Sequence, residues 1–143
     1  MTHATGRCLC GGVRYELTAP LGPAVNCHCQ FCRRAHGAAF ATVAMVQSDA
    51  LRILGGADLV RERRTPGVGT RAFCRECATR LYNRPDSTAS ITMLVVATLD
   101  DQSQVRPSMH INLESKAPWY EIEDVLPRFD GLPSVAQAAL DET

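Results

Sequence analysis

The sequence predicts a mainly β domain, and three observations support this prediction. Short runs of alternating or β-branched apolar residues recur along the chain, and glycine and proline residues separate them. The cysteines fall at the ends of these runs and in the turns between them. At 143 residues the chain has the usual size of one domain, so we expect a single core over residues 1–143.

The first half of the chain contains two predicted strands and one short helix. Val13, Tyr15 and Leu17 alternate with polar residues, which predicts a half-buried strand that ends before Pro20. Residues 30–36 contain no helix breaker before Gly37, so we expect one or two helical turns there. The apolar residues 38–46 then predict a buried strand.

The second half continues with short strands. Residues 51–54 and 59–63 flank a glycine-containing connection, so we expect them to pair as an antiparallel hairpin. Residues 70–73 and 81–82 predict two further strands, and the β-branched run 91–97 predicts a strand buried on both faces. Four prolines between residues 100 and 133 indicate an irregular chain draped over a sheet, and residues 134–140 predict a short closing helix.

Composition excludes several classes of function. Fifteen basic and fifteen acidic residues give a formal net charge of +0, which argues against a broad nucleic-acid-binding surface. The longest apolar runs are too short to span a bilayer, so we expect no membrane segment. Residues 1–7 lack the apolar core of a secretion signal, which predicts a cytoplasmic protein in a reducing compartment.

The seven cysteines are the unusual feature of the composition, and metal binding explains them better than disulfides do. They form three short clusters, and seven cysteines cannot all pair within one chain. Cysteines one or two residues apart rarely reach unstrained disulfide geometry, but they can present two sulfurs to one zinc ion from a tight turn. The clusters are Cys8 with Cys10; Cys27, Cys29 and Cys32; and Cys74 with Cys77.

The partition of these clusters predicts two kinds of site. The two pairs together would close one Cys₄ site, which is the saturated, structural type of zinc centre. The triplet supplies three sulfurs and leaves a fourth position open, as a catalytic or substrate-binding zinc requires. A single four-cysteine site built from another combination, with the remaining thiols free, fits the same count.

Spacing alone does not assign roles to the residues near the triplet. His36 and His110 are candidates to complete the second site, but nothing in the spacing forces either to bind metal, and His28 should point away from an ion shared by its neighbours. Arg33 and Arg34 directly follow Cys32 and could neutralise an anionic ligand, although such a pair is usually a solvated surface. Trp119 is expected to fill the core.

The cysteine clusters and their flanking residues resemble the glutathione-dependent formaldehyde-activating enzyme family, which also includes centromere protein V. The resemblance rests on Cys8-x-Cys10-Gly11-Gly12, Cys27-His28-Cys29-x-x-Cys32-Arg33, Phe73-Cys74-x-x-Cys77 and the segment 115–122 around Trp119. It covers the chain from about residue 8 to about residue 129. It implies one zinc-binding domain with a β-tent fold of small antiparallel sheets. Ala78 follows Cys77 where such a zinc turn often carries glycine.

The resemblance also implies an activity and the residues that carry it. It implies that Cys8, Cys10, Cys74 and Cys77 bind a structural zinc ion, and that Cys27, Cys29 and Cys32 hold the zinc at which substrates meet. The implied enzyme is a carbon–sulfur lyase whose partners are a small-molecule thiol, such as glutathione, and formaldehyde or another small aldehyde. Two alternatives stay open: a non-catalytic zinc-stabilised module that binds proteins as a chaperone does, and redox sensing by the triplet.

Overall fold

The computed structural model describes residues 2–133, and within that range the protein is mainly β, as predicted. One α-helix and ten strands follow one another along the chain. They are β1 (Ala4–Arg7), β2 (Arg14–Leu17), β3 (Ala24–Cys27), α1 (Gln30–His36), β4 (Ala41–Gln47), β5 (Leu51–Gly55), β6 (Val60–Thr65), β7 (Gly69–Cys74), β8 (Arg80–Pro85), β9 (Ile91–Val95) and β10 (Pro107–Ile111). The helix predicted at residues 134–140 lies outside the described residues.

The described residues group into two compact units. The first contains the residues up to Gly22 together with Ala44–Val105, and the second contains Pro23–Val43 together with the described residues from Arg106 onward. The expectation of one domain over residues 1–143 stays a prediction. Within residues 2–133, no helix has the length and apolar character needed to cross a membrane.

Two antiparallel arrangements of strands form the first unit. β1, β2 and β5 make a three-stranded sheet, and β6, β7, β8 and β9 are neighbours in that order. β2 buries Tyr15 and Leu17 and exposes Arg14, which is the alternation that its sequence predicts. A core cluster that includes Val13, Ala72 and Leu81 packs directly around Cys8 and Cys74. Packing of buried apolar side chains therefore keeps the segments that carry Cys8 and Cys74 in fixed positions.

The predicted hairpin between β5 and β6 is wrong, although both strands exist. β5 pairs with β2, and β6 pairs with β7. Gly56 adopts a left-handed conformation (φ +76°), and a short 3-10 turn at Ala57–Leu59 follows it. A β-carbon on Gly56 would lie 2.0 Å from the carbonyl oxygen of Gly12, so only glycine fits this close approach. The glycine-rich composition indicated a turn correctly but not the partners of the two strands.

The second unit contains α1 and a parallel pair of strands. β3 is buried at all four positions and pairs with β10, with Cys27 opposite Ile111. α1 begins after Cys29 and ends at Gly37, whose left-handed backbone (φ +60°) closes the helix as predicted. The sequence patterns did not predict β3 or β10, because each is a strand of four or five residues whose partner lies far along the chain. They also missed β1.

Several strand boundaries differ from prediction, and the largest differences include β8, which runs to Pro85 where residues 81–82 were expected. β4 begins at Ala41, three residues later than expected. β9 ends at Val95 because the chain enters a 3-10 turn at Val96–Thr98. The Oγ1 of Thr98 donates a hydrogen bond to the carbonyl oxygen of Val95, which stabilises this turn in place of further strand.

Candidate metal centres

The four-cysteine cluster lies in the first unit, where two turns face each other. Cys8 and Cys10 follow β1, while Cys74 ends β7 and Cys77 lies in the turn before β8. The four sulfur atoms all lie within 4.8 Å of one another. The structure thus brings together the two cysteine pairs that the sequence grouped.

Backbone hydrogen bonds shape both turns around the cluster. The amide of Gly11 donates to the carbonyl oxygen of Cys8, and the amide of Val13 donates to the Cys8 sulfur at 3.3 Å. In the second turn the amide of Ala78 donates to the carbonyl oxygen of Cys74. Ala78 has a left-handed backbone (φ +63°), which explains why glycine would suit this position.

The spacing of the four sulfurs fits a zinc ion. A tetrahedral site with zinc–sulfur bonds of about 2.3 Å has sulfur–sulfur edges of about 3.8 Å. The sulfur of Cys10 lies 3.5 Å from that of Cys8 and 3.9 Å from that of Cys74. These cysteines form no disulfide. The cluster could therefore hold a metal ion with four thiolate ligands.

The three-cysteine cluster lies in the second unit, at the junction between β3 and α1. Cys27 is the last residue of β3, Cys29 caps α1, and Cys32 lies in its first turn. The amide of Cys32 donates to the sulfur of Cys29 at 3.3 Å, so the same cap that starts the helix fixes the positions of two sulfurs. The three sulfurs lie within 4.8 Å of one another.

Hydrogen bonding within the triplet gives the three thiols very different pKa values. Hydrogen bonds from Cys27 and then from Cys32 lower the pKa of the Cys29 thiol to about 2. Hydrogen bonds with Cys27 and then with Cys29 raise the pKa of the Cys32 thiol. One thiolate is therefore stabilised by the two remaining thiols, and a cation is needed before all three can ionise together. The donor set of the triplet fits a soft, positively charged metal ion such as Zn²⁺.

No histidine joins either cluster among residues 2–133. His28 and His110 are instead buried side by side, and the Nε2 of His28 lies 2.8 Å from the Nδ1 of His110. The Nε2 of His110 lies 2.9 Å from a carboxylate oxygen of Asp124. Burial lowers the pKa of His28 to about 4. His28 is therefore a buried histidine that is hydrogen-bonded to His110.

The hydrogen-bonded chain also fixes which nitrogens of the two rings carry protons. The carboxylate of Asp124 can only accept, so the Nε2 of His110 donates to it, and in the neutral ring the Nδ1 accepts from His28. The Nδ1 of His28 is then a buried acceptor, without a hydrogen-bond partner in the described part of the chain. Sequence reasoning missed Asp124 because it lies in an irregular segment with no motif of its own.

The chain contributes a further donor and several cations near the triplet. The Nδ2 of Asn112 donates to the sulfur of Cys27 at 3.3 Å, and the left-handed backbone of Asn112 (φ +59°) ends β10 at this point. Burial, His110 and the positive charges of Lys116 and Arg33 all lower the pKa of His28, which stands between Cys27 and Cys29 in the sequence. Trp119 is 69% exposed, so the expectation that it fills the core is wrong.

Comparisons with known proteins agree with these cysteine clusters. Residues 3–115 match the family described as glutathione-dependent formaldehyde-activating enzyme. A protein of Halomonas elongata named "putative glutathione-dependent formaldehyde-activating enzyme" is 29% identical over 125 residues, which are 82% of this chain and 80% of that protein. A protein of the same name from Podospora anserina is 34% identical over 82 residues, which are 56% of this chain and 38% of that protein.

A solved structure shares the fold as well as part of the sequence. The crystal structure of a Rhodobacter sphaeroides protein superposes with a TM-score of 0.58 at 28% sequence identity, and the match covers 72% of this chain and 91% of that one. The family match extends over most of the chain and includes all seven cysteines. The chain therefore belongs to the glutathione-dependent formaldehyde-activating enzyme family.

Proposed function

We propose that this protein is a zinc-dependent carbon–sulfur lyase that adds the thiol of glutathione, or of a similar compound, to formaldehyde or another small aldehyde. With glutathione and formaldehyde the product is S-hydroxymethylglutathione. A carbon–sulfur bond forms, and the thiol proton is released to solvent while the carbonyl oxygen takes up a proton. The reaction needs no oxidant or reductant. Family membership supports this activity, and the seven cysteines, none in a disulfide, suit the reducing cytoplasm.

The observation that carries the proposal is the unequal number of sulfurs in the two clusters. Four sulfurs converge in the first cluster and three in the second. A four-thiolate zinc ion is saturated and serves structure, whereas three protein ligands leave room for a substrate. We therefore assign a structural role to Cys8, Cys10, Cys74 and Cys77. We assign the reactive site to Cys27, Cys29 and Cys32.

A zinc ion bound by the triplet would supply a Lewis-acidic position at which a substrate thiol becomes a thiolate near neutral pH. The chain's own groups would hold that site in place. Asn112 donates to Cys27, and the amide of Cys32 donates to Cys29, so two of the three sulfurs have fixed orientations before substrate arrives. Three thiolates and one Zn²⁺ carry a net charge of −1, and the nearby cations Arg33 and Lys116 would offset the charge of a further anionic sulfur.

Two-dimensional NMR exchange spectroscopy tests the proposal directly. The rate of exchange between S-hydroxymethylglutathione and free formaldehyde is measured with the zinc-loaded protein, with Cys29→Ser and with Cys77→Ser. We expect acceleration by the wild-type protein and its loss in Cys29→Ser. Cys77→Ser should retain activity in proportion to its folded fraction, because Cys77 belongs to the structural cluster.

Two results would contradict the proposal in different ways. No acceleration by protein that holds zinc in the triplet would exclude glutathione and formaldehyde as substrates. Other thiols would then be tested in the same assay, and a lack of acceleration with them too would favour a non-catalytic, zinc-stabilised binding module. Equal activity of the wild type and Cys29→Ser would place the reaction away from the triplet.

A further inference from the structure

A pocket lies at α1, the helix that also carries Cys32, and the reaction described so far does not use it as a binding site. It has a volume of about 330 Å³ and is lined by Arg33, Arg34, Gly37, Ala38 and Trp119. Pockets for small molecules in proteins begin at about this size. Two of the lining residues are arginines and one is a tryptophan, so the pocket combines positive charge with an aromatic side chain.

The two arginines have no acidic partner within salt-bridge distance in the described range 2–133. The Nε of Arg33 is buried and lacks a hydrogen-bond acceptor among the same residues. A buried donor without an acceptor is costly, and proteins usually satisfy such a group with a partner, a water molecule or a ligand. The positive charges of the two arginines that line the pocket thus have no acidic partner among residues 2–133, and they match an anionic ligand.

The position of Arg33 connects this pocket with the triplet. Arg33 directly follows Cys32 in α1, and its amide donates to the carbonyl oxygen of Cys29 at 2.9 Å. The residue that lines the pocket and the residue that contributes a sulfur to the triplet are therefore neighbours on the same helix. Trp119 exposes most of its side chain at the same pocket, which leaves its ring free to contact the apolar part of a ligand.

We propose that the pocket lined by Arg33, Arg34 and Trp119 binds a carboxylate of the thiol substrate while the substrate sulfur lies at the three-cysteine cluster. This inference rests on the proposed function and specifies its substrate class, namely thiols of peptide size that carry a carboxylate. Arginine suits this role because its planar fork matches the two oxygens of a carboxylate. Neutral thiols and aminothiols lack the group that the pocket recognises.

A binding experiment tests the pocket without requiring the reaction. S-methylglutathione carries both carboxylates of glutathione but has no thiol proton, and its dimethyl ester lacks both carboxylate charges. Isothermal titration calorimetry is performed with each ligand and the zinc-loaded full chain. We expect the wild type to bind the acid at least tenfold more tightly than the ester, and added salt to reduce this preference.

Variants then locate the binding site. Arg33→Gln and Arg34→Gln should each weaken binding of the acid about tenfold and leave binding of the ester unchanged. Arg34→Lys keeps the positive charge but loses the planar guanidinium group, so it should weaken binding of the acid less than Arg34→Gln does. The control is Arg63→Gln, which removes one positive charge from an exposed position of β6 outside the pocket and should have no effect.

Three results would overturn the proposal. The first is equal binding of acid and ester by the wild type, the second is no binding of the acid, and the third is wild-type affinity in the Arg33→Gln/Arg34→Gln double variant. The calorimetry remains informative if the exchange assay shows no catalysis, because S-methylglutathione cannot react. If both the exchange activity and the preference for the acid are observed, the double variant should lower kcat/KM for glutathione.

Discussion

Removal of the Cys74–Cys77 pair should destabilise the protein more than removal of two cysteines from the triplet. The two double variants are Cys74→Ser/Cys77→Ser and Cys29→Ser/Cys32→Ser. They are closely matched, because each replaces one buried and one partly buried thiol. Each also leaves its cluster too few sulfurs to hold zinc firmly.

The difference in the free energy of unfolding follows from the length of the loop between the residues that each metal ion would link. Cys10 and Cys74 are 64 positions apart and their sulfurs lie 3.9 Å apart, so a metal ion between them restrains a long loop of the unfolded chain. The chain-entropy relation for a cross-link gives about 4 kcal/mol for such a loop. The triplet lies within six consecutive positions, for which the same relation gives about 2 kcal/mol. We expect an excess loss of about 2 kcal/mol in Cys74→Ser/Cys77→Ser.

Urea denaturation followed by far-ultraviolet circular dichroism measures these free energies of unfolding. All proteins are compared at one free zinc concentration and with reductant present, because bound metal itself stabilises the folded state. Zinc content is measured for each variant, so that the loss can be attributed to the intended site. The reasoning is refuted if the triplet variant loses as much free energy of unfolding as the variant of the four-cysteine cluster, or more.

Three further predictions concern single residues. Ala78→Gly should raise the free energy of unfolding by about 0.5–1 kcal/mol, because Ala78 has a left-handed backbone; an unchanged urea midpoint would contradict this. His110→Leu should cost about 1–3 kcal/mol, because it leaves the buried Nε2 of His28 without its acceptor, and the double variant His28→Leu/His110→Leu should cost less than the sum of the singles in a double-mutant cycle. Burial raises the pKa of Tyr15 to about 12, although a hydrogen bond with Thr98 opposes this. The phenol of the unfolded chain ionises near pH 10, so the contribution of Tyr15 to the free energy of unfolding is complete below pH 10 and is lost as the pH rises towards 12, by about 1 kcal/mol per pH unit. Tyr15→Phe should remove this part of the decline in the free energy of unfolding at alkaline pH, measured by urea denaturation at several pH values. An identical decline in the wild type and the variant would refute the prediction.

Local sequence patterns determined the elements whose cause lies within a few residues. α1 follows from a run without breakers that ends at Gly37, and β2 follows from the alternation of Tyr15 and Leu17 with polar residues. The spacing within each cysteine cluster likewise indicated which sulfurs could share one ion, because a turn or a helix start brings such neighbours together whatever the rest of the chain does. The mainly β class was predictable for the same reason.

Only the tertiary structure decided which distant segments meet. β5 pairs with β2 rather than with β6, and β3 pairs in parallel with β10, because pairing depends on which apolar faces are buried together and no local pattern records this. The same applies to Asp124, which reaches His110 from an irregular segment, and to Trp119, which is exposed where composition favoured burial. The sequence alone thus indicated which cysteines lie close together within each short run, since that spacing is local, whereas the meeting of Cys8 and Cys10 with Cys74 and Cys77 was decided by the tertiary structure. The Asp124 carboxylate and the Asn112 amide were brought to the second unit's buried polar groups by long-range packing, and their positions required the structure, whereas Arg33 and Arg34 adjoin Cys32 in the sequence.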